Sequence, residues 1–294
     1  MERKKFIQTL GIGTLGTLAM TTLSDFKKFT GDLKVQDEMM PVLFVGHGSP
    51  MNAIEDNEFS TRWMAMGKEI PVPKAVLIIS AHWLTQGTKI TAMEMPKTIH
   101  DFGGFPKALF DYEYPAPGNP VLAAETASMI KSTAVTLDHD WGLDHGAWSV
   151  VCRMYPDAKI PMIQLSIDYA KGAQYHYNLS KELAALRKKG VLILASGNMV
   201  HNLGMIDWSM MNGGGFDWAL SLNDTFKSLI SSGDHQKLID YEKLGSAAKL
   251  AIPTPDHYFP LMYSLGLKTE QDKISFFNDK ALGGSLTMTS VKFG

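Results

Sequence analysis

The chain is short of the features that settle function early. Cys152 is its one cysteine in 294 residues, so no intramolecular disulfide is available. It lies in Trp148-Ser149-Val150-Val151-Cys152-Arg153-Met154, which reads as helix, where a buried inert thiol is a better reading than a nucleophile. Neither charge sign is in excess: 28 Lys and Arg face 30 Asp and Glu, a formal charge of -2, with no long basic cluster. That leaves no electrostatic footprint for a nucleic-acid backbone. Internal repeats and low-complexity tracts are missing, and no Pro/Gly/Ser linker divides the chain after residue 40. What remains is ordinary globular material, 45% hydrophobic and 20% charged, long enough to bury a sizeable core as one domain.

The start differs from the rest. Arg3-Lys4-Lys5 precedes a weakly apolar stretch from Phe6 to Met20, too short and too rich in Gly and Thr for a membrane span. It reads as an export signal, and Arg3-Lys4-Lys5-Phe6-Ile7-Gln8 resembles the twin-arginine consensus with Lys in place of the second Arg. Residues 1–40 are thus expected to be an export-signal-like segment and linker directing the protein to the periplasm. An uncleaved anchor and a cytoplasmic protein are the alternatives, since no A-x-A cleavage site follows. Gly11-Ile12-Gly13-Thr14-Leu15-Gly16 matches a dinucleotide fingerprint, but no strand precedes it and the match is accidental.

From residue 41 onward, apolar β-branched runs alternate with helical patterns. Strands are expected at 41–46, 74–80, 89–95, 133–138, 160–167, 191–196 and 285–292. Helices are expected at 57–69, 120–132, 147–155, 173–189, 216–231 and 234–250. Such alternation predicts an α/β fold, one domain over 41–294 with a central mixed, largely parallel sheet flanked by helices on both faces.

Three histidines follow strand-like runs: His47 after Pro41-Val42-Leu43-Phe44-Val45, His82 after Ala75-Val76-Leu77-Ile78-Ile79, and His201 after Val191-Leu192-Ile193-Leu194. In open α/β sheets the crevice beyond the carboxyl ends of the strands gathers side chains distant in sequence. His257 lies in the Pro-bounded loop Thr254-Pro255-Asp256-His257-Tyr258. Neutral imidazole is the commonest metal ligand, so a converging set argues for a metal centre. Gly46-His47-Gly48-Ser49-Pro50-Met51 lacks the second glycine of a nucleophile elbow, which makes Ser49 a poor nucleophile. Asp144-His145-Gly146 reads either as a helix cap or as an imidazole set over a pocket. His139, His176 and His235 read as ordinary, and Met205, Met210 and Met211 as core and surface filler. The stretch from Pro96 to Asn119 is a loop long enough to be functional.

Taken in order, Gly46-His47-Gly48-Ser49-Pro50, Ser80-Ala81-His82-Trp83, His100-Asp101-Phe102-Gly103-Gly104-Phe105, Asp144-His145-Gly146, Val200-His201-Asn202-Leu203 and Thr254-Pro255-Asp256-His257 resemble the DOPA 4,5-dioxygenase family. These are class III extradiol ring-cleavage dioxygenases, related to the protocatechuate 4,5-dioxygenase catalytic subunit. The resemblance runs from about Pro41 to the C-terminus and implies metal ligation by His47, His82 and His257, with His201 beside or within the same shell. It implies His201 as catalytic base and His145 as a second pocket histidine on the substrate hydroxyls. The implied cofactor is one divalent ion, Fe(II) for dioxygenase activity or Zn(II). The implied partners are a small aromatic diol such as DOPA and O2, and the product a muconate semialdehyde. Phe102, Phe105, Tyr114 and Trp148 are candidates for the aromatic wall. The rival readings are a zinc-dependent hydrolase on the same histidines and a non-enzymatic metal-binding scaffold of the same superfamily.

Overall fold

Four parallel strands at the centre of an eight-stranded sheet carry the molecule. The computed structural model describes residues 39–294; the export-signal-like segment and the Gly11–Gly16 string lie outside them. Numbering the strands of this sheet in chain order, β1 is Val42–Gly46, β2 Ala75–Thr85, β3 Thr88–Thr91 and β4 Val135–Asp138. β5 is Met162–Asp168, β6 Val191–Gly197, β7 Ile274–Phe277 and β8 Ser290–Phe293. Their spatial order is β4-β3-β5-β2-β6-β1-β8-β7. The run β5-β2-β6-β1 is parallel, while β8 and β7 close one side antiparallel.

The central strands are buried at nearly every position because both faces are covered. Val42, Phe44, Leu77, Ile79, Ile193 and Ala195 point to one side, where they meet the helices α2 (Pro120–Met129), α4 (Ala173–Lys181), α5 (Asp217–Ser232) and α6 (Phe259–Leu267). Leu43, Val45, Val76, Ile78, Leu192 and Leu194 point to the other, against α1 (Glu58–Glu69) and α3 (His145–Met154). The α/β single-domain architecture is therefore as expected, with helices on both faces.

Local departures have local causes. β2 continues to Thr85 instead of ending at residue 80, so His82 sits within the strand and not past it. The patterns over 173–189 and 234–250 are each broken; in the second, Gly245 at φ +98° interrupts the helical turns, and only glycine tolerates that region cheaply. Residues 285–292 divide between a two-residue strand, Leu286–Thr287, and β8. α6 was not expected at all: nearly every residue of Phe259–Leu267 is buried, so no polar face marks a helical period.

Candidate metal centre and substrate cavity

The histidines gather where the carboxyl ends of β1, β2 and β6 meet. His47 follows β1 directly, and its backbone N–H bonds the Gly197 carbonyl at the end of β6 (3.2 Å). Gly48, at φ +59°, then reverses the chain, and Ser49 caps the short helical turn Pro50–Ala53. His82 is placed by an irregularity: the pairing of β2 with β5 shifts register between Ile79 and Leu84. Such bulges re-aim side chains beside sites. His257 sits just before α6, and its carbonyl accepts from Asn198 N–H (2.9 Å) immediately after β6. His201 lies four residues past β6, tied by its N–H to the Ala251 carbonyl (2.8 Å) and by a single bridge to Leu286.

Ligand-capable atoms of His47, His82 and His257 all lie within 4.8 Å of one another. Nε2 of His47 is 3.1 Å from Nε2 of His82. Two ligands of one ion, each at about 2.0–2.1 Å and at roughly right angles, stand about this far apart. The tautomers follow from what holds the opposite nitrogens. Ser196 Oγ spends its only proton on the Gly146 carbonyl (2.5 Å), so it accepts from His47 Nδ1 (3.0 Å). His257 Nδ1 donates to Asp256 Oδ2 (2.5 Å). His82 Nδ1 faces Asp101 Oδ2 at 3.4 Å. Each imidazole thus has an oxygen near Nδ1, and Nε2 of His47 faces Nε2 of His82, an arrangement suited to a histidine-held metal.

Electrostatics agree. Burial, and then the neighbouring imidazoles, push His47 and His257 well below the usual histidine range. Burial also lowers His82, with the nearby carboxylates opposing it. All three are neutral at pH 7, the form that ligates. A divalent ion fits this donor set: packed neutral imidazoles repel protons and accept a cation that bonds their lone pairs.

His145 and His201 flank the triad differently. His145 opens α3, with Asp144 as N-cap; its Nδ1 lies 3.0 Å from Asp101 Oδ1 and its ring 3.9 Å from that of His82. Asp101 therefore touches both rings. Burial pushes its carboxyl up, but the contacts from His145 and His82 outweigh this and hold it below the carboxylate range. His201 stacks face to face on His257, ring centres 3.6 Å apart and 7° from parallel, outside both groups of atoms that could share an ion, His47 with His82 and His257, and His82 with Asp101 and His145. It lines the cavity. Burial lowers its pKa to about 4.

A cavity of about 470 Å³ opens over these rings. Phe102 and Phe105 form part of its wall, as expected, but Tyr114 and Trp148 do not. Both are buried behind it, Tyr114 bonding the Tyr155 carbonyl and Trp148 the Ile99 carbonyl, so they brace the wall without meeting its contents. Sequence reasoning missed Asp101 as a bridging carboxylate, although it stands in the quoted His100-Asp101-Phe102 string. It also missed the apolar lining supplied by Leu203, Ile206, Trp208 and Met211.

Residues 41–290 match the family described as the catalytic LigB subunit of aromatic ring-opening dioxygenase. A 4,5-DOPA dioxygenase extradiol from Escherichia coli is 45% identical over 267 residues, covering 90% of this chain and 98% of that protein. One from Beta vulgaris is 34% identical over 264 residues, covering 88% and 98%. The crystal structure of an uncharacterized Escherichia coli K12 protein superposes with a TM-score of 0.76 at 41% identity, covering 87% of this chain and all of that one.

Proposed function

The chain belongs to the family of the catalytic LigB subunit of aromatic ring-opening dioxygenases, and from that premise we propose that it opens a catechol ring beside the diol with one divalent ion held by His47, His82 and His257. The observation that carries this reading is the convergence of ligand-capable atoms of His47, His82 and His257 within 4.8 Å of one another, each ring with an oxygen near its Nδ1. Bound there, the ion supplies Lewis acidity toward the diol, and as Fe(II) it lets electrons pass between diol and O2, which redox-inert zinc does not.

The chain's own residues do the rest. Phe102 and Phe105 present ring faces and edges to a planar substrate, while the cavity excludes bulk water from the diol. His201, neutral at pH 7 because burial lowers its pKa to about 4 and lining the cavity, takes the proton of a diol hydroxyl. His145, whose Nδ1 lies 3.0 Å from Asp101 Oδ1, orients the substrate at the other hydroxyl or returns the proton taken by His201 as the ring opens. Both atoms of O2 enter the product: the ring C–C bond next to the diol breaks, its hydroxyl-bearing carbon ending as a carboxylate and its other carbon as the aldehyde of a hydroxymuconate semialdehyde.

With Fe(II) loaded anaerobically, a catechol should consume one O2 per ring and yield a yellow product. His201→Ala should keep its metal and lose about 10²–10⁴ in kcat. No O2 uptake from the loaded wild type would sink the reading, and a near-normal rate in the variant would sink the role of His201.

A further inference from the structure

We propose that Asp101 is a positioning residue of this centre, holding the His145 ring in the one orientation that serves the substrate's second hydroxyl. This rests on the ring-cleavage reading and adds to it the group that aims His145. Oδ1 of Asp101 accepts the backbone N–H of His145 (2.9 Å) at the first residue of α3, where the helix dipole favours an anion. The same oxygen lies 3.0 Å from His145 Nδ1, a buried nitrogen for which, among the described residues, no other partner is placed. The second oxygen, Oδ2, stands 3.4 Å from Nδ1 of His82. One carboxylate therefore meets His145 at main chain and ring together, and a metal-ligand candidate on its other side.

The ring's other neighbours do not set its orientation. Phe102 meets it edge to face at 5.6 Å and the His82 ring lies 3.9 Å away. Such contacts limit where the ring can slide, but an oxygen at Nδ1 also selects between its two flipped states, because a flip puts a carbon there instead of a nitrogen. His145 lines the cavity, and with Nδ1 facing Asp101 its Nε2 is the nitrogen left for the substrate. Burial raises the Asp101 carboxyl, but the His145 and His82 contacts hold it below the carboxylate range, so it is ionised at pH 7 and the stronger acceptor for that. Packing just after it gives no second anchor: a Cβ added at Gly103 or Gly104 would meet no atom within 4 Å.

The test compares Asp101→Asn, His145→Ala and the double variant with the wild type, each as the full chain. Asparagine keeps the shape and an oxygen for the His145 N–H while removing the charge, so the fold should persist, and the urea midpoint checks that it does. Catechol affinity is read by anaerobic calorimetry on the Zn(II)-loaded protein, and kcat/KM on the Fe(II) enzyme. Asp101→Asn should keep about one zinc per chain, bind catechol about tenfold more weakly and lose about 10²-fold in kcat/KM. In the His145→Ala background the same substitution should change either quantity by less than about twofold, because the ring it aims is gone. Equal losses with and without His145 would show a merely structural carboxylate, and loss of zinc would show that it acts through His82. Either result overturns the proposal, as does an Asp101→Asn enzyme with wild-type affinity and kcat/KM. A wild type that binds catechol on zinc yet takes up no O2 with Fe(II) instead overturns ring cleavage, and the calorimetric cycle still decides the role of Asp101.

Discussion

His47 is useful to a metal only while its proton stays on Nδ1, and one hydroxyl keeps it there. Ser196 Oγ donates to Gly146 and so can only accept from the ring. Ser196→Ala removes that acceptor, and partners of this kind are worth about 10–100-fold in metal affinity. Chelator competition on the variant should show a loss of that size; unchanged affinity would contradict the tautomer assignment. The ligands themselves were legible as histidines beside β-branched runs, whereas Ser196 read only as a small residue after a strand. Its partner is 149 positions away, and no local pattern encodes such a distance.

The elements aim these side chains through close approach. Gly197 ends β6 where a Cβ would overlap the His257 carbonyl oxygen, the same oxygen that receives Asn198 N–H. Gly197→Ala must displace the His257 segment or the strand end. Such overpacking costs about 1–3 kcal/mol, so the urea midpoint should fall and bound metal should drop below one per chain. Normal stability with full occupancy would show that the two segments are not braced against each other. Strand positions were readable from β-branched runs, but the extension of β2 through its bulge was not, because register belongs to the pairing with β5 and not to β2 alone. α6 escaped for the opposite reason: it is buried all round, and a helix without a polar side has no period to read.

At the scale of the whole molecule, the core holds titratable groups that make folding sensitive to acid. His176 is completely buried against Tyr263 and Phe259, and burial lowers its pKa from 6.5 to about 4. The unfolded chain therefore binds the extra proton first. The stability contribution is full above about pH 6.5 and is lost as pH falls toward 4, where the slope levels off. Urea midpoints measured across that window should decline with acid, and His176→Phe should make the decline shallower. A variant slope equal to that of the wild type would show that His176 does not titrate with unfolding.

Sequence by itself determined the chemistry available: which residues carry imidazoles, that the strands are apolar enough to be covered on both faces, and that the motifs stand in the order of a ring-opening dioxygenase. Those properties are local, set by residue type and short-range period. Only the tertiary structure decided that His47, His82 and His257 converge, that His201 stacks on His257 outside the ligand group while Asp101 joins His82 to His145, and that Leu203, Ile206, Trp208 and Met211 line the cavity. Each of these depends on atoms far apart along the chain, brought together by strand pairing and packing.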